Sequence, residues 1–192
     1  MNKPPRRVLY LDHTSVLAGG EIALLNLVRA LDPNRYIPIV GLLSDGPFAA
    51  ELKAAGIETH LLPSSRALLE ARKDSLGGAS LLSGDAATAA VGSIFRIKRL
   101  IRATRADLVH TNSLKANLLG GIAARMAPRP LVWHLRDRIS DDYLSPTAGR
   151  LVRVFSHYLP RHIIANSSAT LATLTTDPTL GSVIYSGLDL SE

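Results

Sequence analysis

His134 closes the apolar run Leu131-Val132-Trp133-His134, and Arg136, Asp137 and Arg138 follow it within four positions. An imidazole beside three charges at the end of an apolar run has the makings of a catalytic or ligand-orienting group. A histidine satisfied within the core is the other reading, and the spacing leaves both open. A second run ends in His110-Thr111-Asn112-Ser113, whose neighbours are polar but uncharged, which suits a cleft wall or a loop bonded to itself. Asn166-Ser167-Ser168 closes a third. The segment His13-Thr14-Ser15-Val16-Leu17-Ala18-Gly19-Gly20-Glu21 leads from the first apolar run into a helical pattern. Free N–H groups at a helix start favour a phosphate, and glycines let it come close. Gly19-Gly20 reads equally as a plain strand-to-helix turn, with Glu21 there to complement the helix dipole.

Several chemistries find no support. The glycine spacing matches neither G-x-G-x-x-G nor the P-loop, no serine lies in G-x-S-x-G, and the six histidines show neither H-x-x-x-H nor H-E-x-x-H. No metal and no cofactor is expected. With no cysteine, disulfides and thiolate chemistry are out, and a reducing cytoplasm is compatible.

The elements that must position these residues follow from hydrophobic pattern. Val8–Leu11, Ile37–Leu43, Thr59–Leu62, Leu108–Thr111, Leu131–His134, Ile163–Ala165 and Val183–Tyr185 read as buried strands, continuous rather than alternating in hydrophobicity. Between them, Leu24, Leu27, Val28 and Leu31 form one helical stripe and Leu114, Leu118, Ile122 and Met126 another. Pro47 suits a first helical turn, while Ser113 and Ser167 or Ser168 suit N-caps. The alternation predicts an α/β fold: a single Rossmann-like, doubly wound, mainly parallel sheet with helices on both faces. In such a sheet the ligand crevice lies at the strands' C-terminal ends, where the polar stretches fall. Arg72–Gly84 reads as a flexible loop, and Val183–Gly187 as a strand entering a turn at a domain boundary.

The 192 residues, 46% of them hydrophobic, fit one domain, and 22 Lys+Arg against 16 Asp+Glu leave a net charge of +6. Arg96, Lys98, Arg99, Arg102 and Arg105 form an acid-free basic segment on a helical pattern whose apolar face is Ile94, Ile97 and Ile101. A solvated face explains it, and so does contact with an anionic membrane surface or polyanionic substrate. Nucleic acid is not expected, because aromatics are only 5% of the chain and none is interleaved as a stacking platform. The apolar run after Arg6-Arg7 is too short for a signal peptide, and no stretch approaches the roughly 20 apolar residues of a membrane span.

Five ordered segments resemble the N-terminal domains of family 4 glycosyltransferases, retaining enzymes of the GT-B fold. LAGGEIALLNLVRAL at Leu17–Leu31 is similar to the family's Gly-Gly-x-Glu loop and first helix. DLVHTNSLKANLLGGIAARM at Asp107–Met126 is similar to its D-[IV]-V-H-x-H strand and following helix, with Asn112 in place of the second histidine. PLVWHLRD at Pro130–Asp137, IIANSSAT at Ile163–Thr170 and VIYSGLDL at Val183–Leu190 complete the series, with Ser186 replacing the usual asparagine.

The resemblance implies that residues 1–192 are the N-terminal, acceptor-side half of a GT-B enzyme. The C-terminal donor-binding domain, with the family's spaced glutamate pair, would lie outside this chain. It further implies a nucleotide-sugar donor, a glycan or lipid-linked acceptor, a cytoplasmic location on or near a membrane's inner face, and a place in bacterial polysaccharide or glycolipid synthesis. Gly19 and Gly20 would approach the donor diphosphate, and His134 the donor sugar. Arg136, Arg138 and Lys115 are candidates for acceptor or phosphate contacts, and His110, Asn112, Asp137 and Ser167 for cleft lining. An isolated first half would be inactive. A nucleotide-sugar epimerase of the same architecture and a non-catalytic binding module are the alternative functions.

Overall fold

The computed structural model describes residues 3–64, 84–174 and 179–187. Within them the chain runs β1 (Arg6–Asp12), α1 (Gly19–Arg29), β2 (Tyr36–Leu42), α2 (Pro47–Ala54), β3 (Glu58–Leu61), α3 (Gly84–Ala103), β4 (Leu108–Thr111), α4 (Leu114–Met126), β5 (Leu131–Leu135), α5 (Pro146–Tyr158), β6 (His162–Ala165), α6 (Ser168–Ala172) and β7 (Gly181–Val183). The strands form one sheet in the order β3-β2-β1-β4-β5-β6-β7. Every neighbouring pair is parallel. The order reverses between β1 and β4, and an open α/β sheet forms its ligand crevice at that reversal.

Continuous apolar strands bury both faces, and successive side chains divide between them. Leu9, Leu11, Ile39, Val109 and Trp133 join Ile97 and Ile101 of α3 and Val152 of α5 in one core. Val8, Tyr10, Val40 and Leu42 join Leu24, Val28, Phe48 and Leu52 of α1 and α2 in the other. Each fully buried side chain of this size contributes about 1.5–3 kcal/mol, so the two cores fix the sheet from both sides.

The expected strands appear with ends shifted by a residue or so, except the last. β7 is Gly181–Val183 rather than Val183–Tyr185, because its partner β6 ends at Ala165, opposite Val183. Beyond that register only the Ile184 N–H reaches the ladder, donating to Ala165 O, and Ile184 and Tyr185 stand exposed. The second helical stripe also differs. In α4 the buried residues run around the whole helix and include Ala116, Asn117, Leu119, Gly120 and Ala123, whereas Ile122 and Met126 are half-buried. Small residues cause this: a Cβ on Gly120 would stand 2.9 Å from both Leu11 Cδ1 and Thr111 Cγ2, so the helix lies directly on the sheet. Pro47 does open α2. The predicted loop Arg72–Gly84 lies outside the described residues except for Gly84, where α3 begins.

Candidate active site at the β1–β4 crevice

The floor of the crevice is Asp12, the last residue of β1, whose side chain is fully buried. A bare buried carboxylate would be strongly unfavourable. Here Oδ1 accepts the His13 N–H at 2.7 Å, and Oδ2 accepts Asn112 Nδ2–H at 2.7 Å. Burial pushes the Asp12 pKa up, but bonds from His13, Asn112 and Ser113 outweigh it and hold the group below the usual carboxylate value. Asn112 relays the anchor. Its Nδ2–H also reaches Gly20 O at 3.2 Å, and its Oδ1 accepts Arg136 Nε–H at 2.8 Å.

Arg136 is thereby aimed across the crevice. Its terminal nitrogens meet Ser186 Oγ at 3.3 Å and His134 Nδ1 at 3.5 Å, and its Cδ lies 3.5 Å from where a Gly20 Cβ would be. Burial lowers its pKa, while Asp12 and Glu21 pull it back up. His134 and His110 project from adjacent strands on the face shared with Tyr10; His110 Nε2 lies 3.3 Å from His134 Nδ1, and its ring stacks obliquely on Tyr10 at 4.9 Å. Burial first, then the Arg136 charge, depresses His110 to about 4. The same causes, with His110 added, depress His134 to about 3. Both rings are therefore neutral near pH 7. His134 Nε2 is buried and meets no partner among the described residues.

The glycine loop arches over this floor from fixed ends. His13 Nδ1 bonds Ser113 Oγ at 2.8 Å, and Ser15 holds α2 through Oγ to the Ala49 N–H at 2.9 Å. Gly46, at φ +157°, makes that contact possible, since a Cβ there would strike Ser15 O at 2.8 Å. Glu21 accepts the Ala18 N–H at 3.2 Å, and burial with the nearby Asp12 charge raises its pKa. The N–H groups of Gly19 and Gly20 open α1 and have no acceptor within the helix, so they are available to an anion.

Of the residues singled out by sequence, Gly20, His110, Asn112, His134 and Arg136 come together, with Gly19 at the exposed lip. Lys115 is buried in the first turn of α4, Asp137 accepts from Tyr143 Oη at 2.6 Å, and Arg138 is exposed. Ser167 caps α6, accepting the Thr170 N–H at 3.0 Å, while Ser113 holds the N-cap position of α4 but spends its hydroxyl on His13 and Asp12. Asp12 and His13 were missed as site residues. An acidic residue ending the first strand at a sheet reversal was the available signal.

The basic segment divides. Lys98, Arg99 and Arg102 line a surface groove of about 500 Å³ with Phe95 and Ala103, and Lys98 Nζ lies 5.7 Å from the Phe95 ring centroid. Arg96 turns instead to Ser93 Oγ at 3.0 Å, and Arg105 lies beyond the helix in a left-handed turn at φ 51°. The helix ends at Ala103, so a side chain two residues on leaves its face. Among the described residues no helix is long and apolar enough to cross a membrane, and no three His, Asp or Glu side chains gather as a metal-ligand set.

Sheet order, crevice and glycine-opened first helix define the Rossmann-like N-terminal half of a GT-B fold. The profile of Glycosyltransferase Family 4 matches residues 48–192, and the chain belongs to that family. Among solved structures it is similar to HepE of Anabaena in complex with UDP-glucose, with 26% identity and a TM-score of 0.76, over 95% of this chain and 44% of that one. The fold is shared by Acinetobacter baumannii MurG, at 14% identity and TM-score 0.65 over 97% of this chain and 47% of that one. A putative UDP-N-acetylglucosamine 2-epimerase from Listeria monocytogenes shares it too, at 17% identity and TM-score 0.61 over 92% and 43%. The chain thus spans less than half the length of these proteins. Among curated proteins, no sequence matches it.

Proposed function

We propose that this chain is the acceptor-side half of a retaining glycosyltransferase that moves a sugar from a nucleotide-sugar donor to a glycan, lipid-linked or other acceptor. The observation that carries the reading is the placement of Arg136 between the α1 N-terminus at Gly20 and the His134 ring, at the β1–β4 reversal. A diphosphate leaving group gains negative charge as the sugar departs, and preorganised donors in a partly dry site stabilise that charge. The UDP-glucose held by HepE supports the donor class. No metal or other cofactor is assigned to the reaction.

On this reading the donor-binding half lies in a following domain, and the 192-residue chain alone should show no sugar transfer. The test is turnover of radiolabelled UDP-sugars by this chain and by a protein continuing into that second half. Transfer by the longer protein, lost by at least about a hundredfold in His134→Ala, is expected. Turnover of the donor with no acceptor added would point to an epimerase. Transfer by the short chain at the longer protein's rate would overturn the division of labour.

A second part of the proposal concerns the groove on α3. Val91 and Phe95 are exposed at 52% and 54%, one helical turn apart, and Phe95 lines the groove with Lys98, Arg99 and Arg102. Apolar side chains flanked by cations match the interface of an anionic bilayer, where each cation near the surface adds about 1 kcal/mol. We assign this face to the inner surface of a membrane carrying the acceptor. Binding to phosphatidylglycerol vesicles should fall steeply with salt and drop about thirtyfold in the Arg99→Ala/Arg102→Ala double variant. Equal binding to pure phosphatidylcholine vesicles would remove the assignment.

A further inference from the structure

We infer that His110 is a positioning residue which, with Arg136, holds His134 as its Nε2–H tautomer, so that His134 meets the ligand only as a hydrogen-bond donor and never as an acid or base. The inference rests on the proposed function for the ligand, but not for the tautomer. A guanidinium can only donate, so Arg136 at 3.5 Å requires a lone pair on His134 Nδ1. His110 Nε2, 3.3 Å from the same atom, must then carry the hydrogen of that pair. Were His134 Nδ1 protonated instead, its hydrogen would face those of Arg136. A neutral imidazole has one N–H, which leaves it on Nε2, the buried atom without a partner among the described residues. Arg136 is itself held by Asn112, and Asn112 by the buried Asp12. The chain of bonds therefore begins at the sheet floor and ends at one buried, unpartnered donor. It donates to an oxygen with a lone pair: a hydroxyl, ring or phosphate oxygen. The depressed pKa of both rings agrees, since a proton lost only near pH 3 is not exchanged with substrate at neutral pH.

Long-range proton–nitrogen correlation spectra of the nitrogen-15-labelled chain near pH 7 read the tautomer directly. His134 should show a protonated Nε2 and bare Nδ1. The pattern should persist in His110→Gln, whose amide can donate to the same atom, and give way to a tautomer mixture in His110→Leu. A protonated Nδ1 in the parent chain overturns the inference and leaves the transferase proposal standing. An unchanged tautomer in a folded His110→Leu removes His110 from the role. Should His110→Leu fail to fold, His110→Ala takes its place, and the parent still decides the tautomer. In the longer protein, His134→Gln should retain turnover within about tenfold, while His134→Leu loses about a hundredfold or more. Equal loss in both would show that an N–H donor is not what the site needs.

Discussion

At the scale of single residues, the site keeps its charges unlike by environment. Asp12 stays ionised through the bonds it accepts, while His110 and His134, pressed by burial and by Arg136, stay neutral. The histidines make stability pH-dependent with a definite sign. Their folded pKa values, about 4 and about 3, lie below the ordinary 6.5, so the unfolded chain takes up protons first as pH falls. Their contribution is whole above about pH 6.5 and is lost between there and pH 3–4, by up to about 1.4 kcal/mol per unit for each ring. Denaturant midpoints measured from pH 7 to pH 5 should fall accordingly, and His110→Gln should flatten that slope by about half. A slope unchanged in His110→Gln would mean that another group carries it. Gly19 offers a contrasting case. Among the described residues, nothing outside its own neighbours and helix backbone lies within 4 Å of a Cβ there, so these residues impose no spatial need for glycine. Gly19→Ala should raise stability by about 0.5 kcal/mol in a melting experiment while weakening UDP-sugar binding in the longer protein.

Secondary-structure elements were more legible in the sequence than the contacts they make. Strands such as β1, with its buried run Val8 to Leu11, announce themselves because a strand buried on both faces is apolar on both. The crevice residues are legible only by their position just past a strand end, and position is silent about direction. Thus Arg136 and Arg138, two apart, diverge into a held guanidinium and an exposed one, and Lys115 is buried in the first turn of α4. Asp12 was hidden for another reason: an acidic residue ending an apolar run looks like a stop signal, and its partner Asn112 lies 100 positions away. The all-round burial of α4 escaped too, because Gly120 and the alanines carry no periodic signal. That packing is testable. Gly120→Val should lose about 1–3 kcal/mol by denaturant titration, as Thr111 is stiff and Leu11 has little space to yield. A neutral substitution would mean that α4 sits more loosely on the sheet than these distances require.

For the molecule as a whole, the placement of β1 has a consequence for synthesis. It sits inside the sheet, with β2 on one side and β4 on the other. Of the strands in this sheet it is the first to be synthesised, yet it stays open on one side until β4 follows, because its second neighbour begins only at Leu108. Until then Val8 to Leu11 present an open backbone edge in a very apolar segment, the kind of edge that recruits other chains. A nascent chain stalled before β4 is thus a candidate for chaperone capture and aggregation, and the same hydrogen bonds that complete the crevice end that exposure.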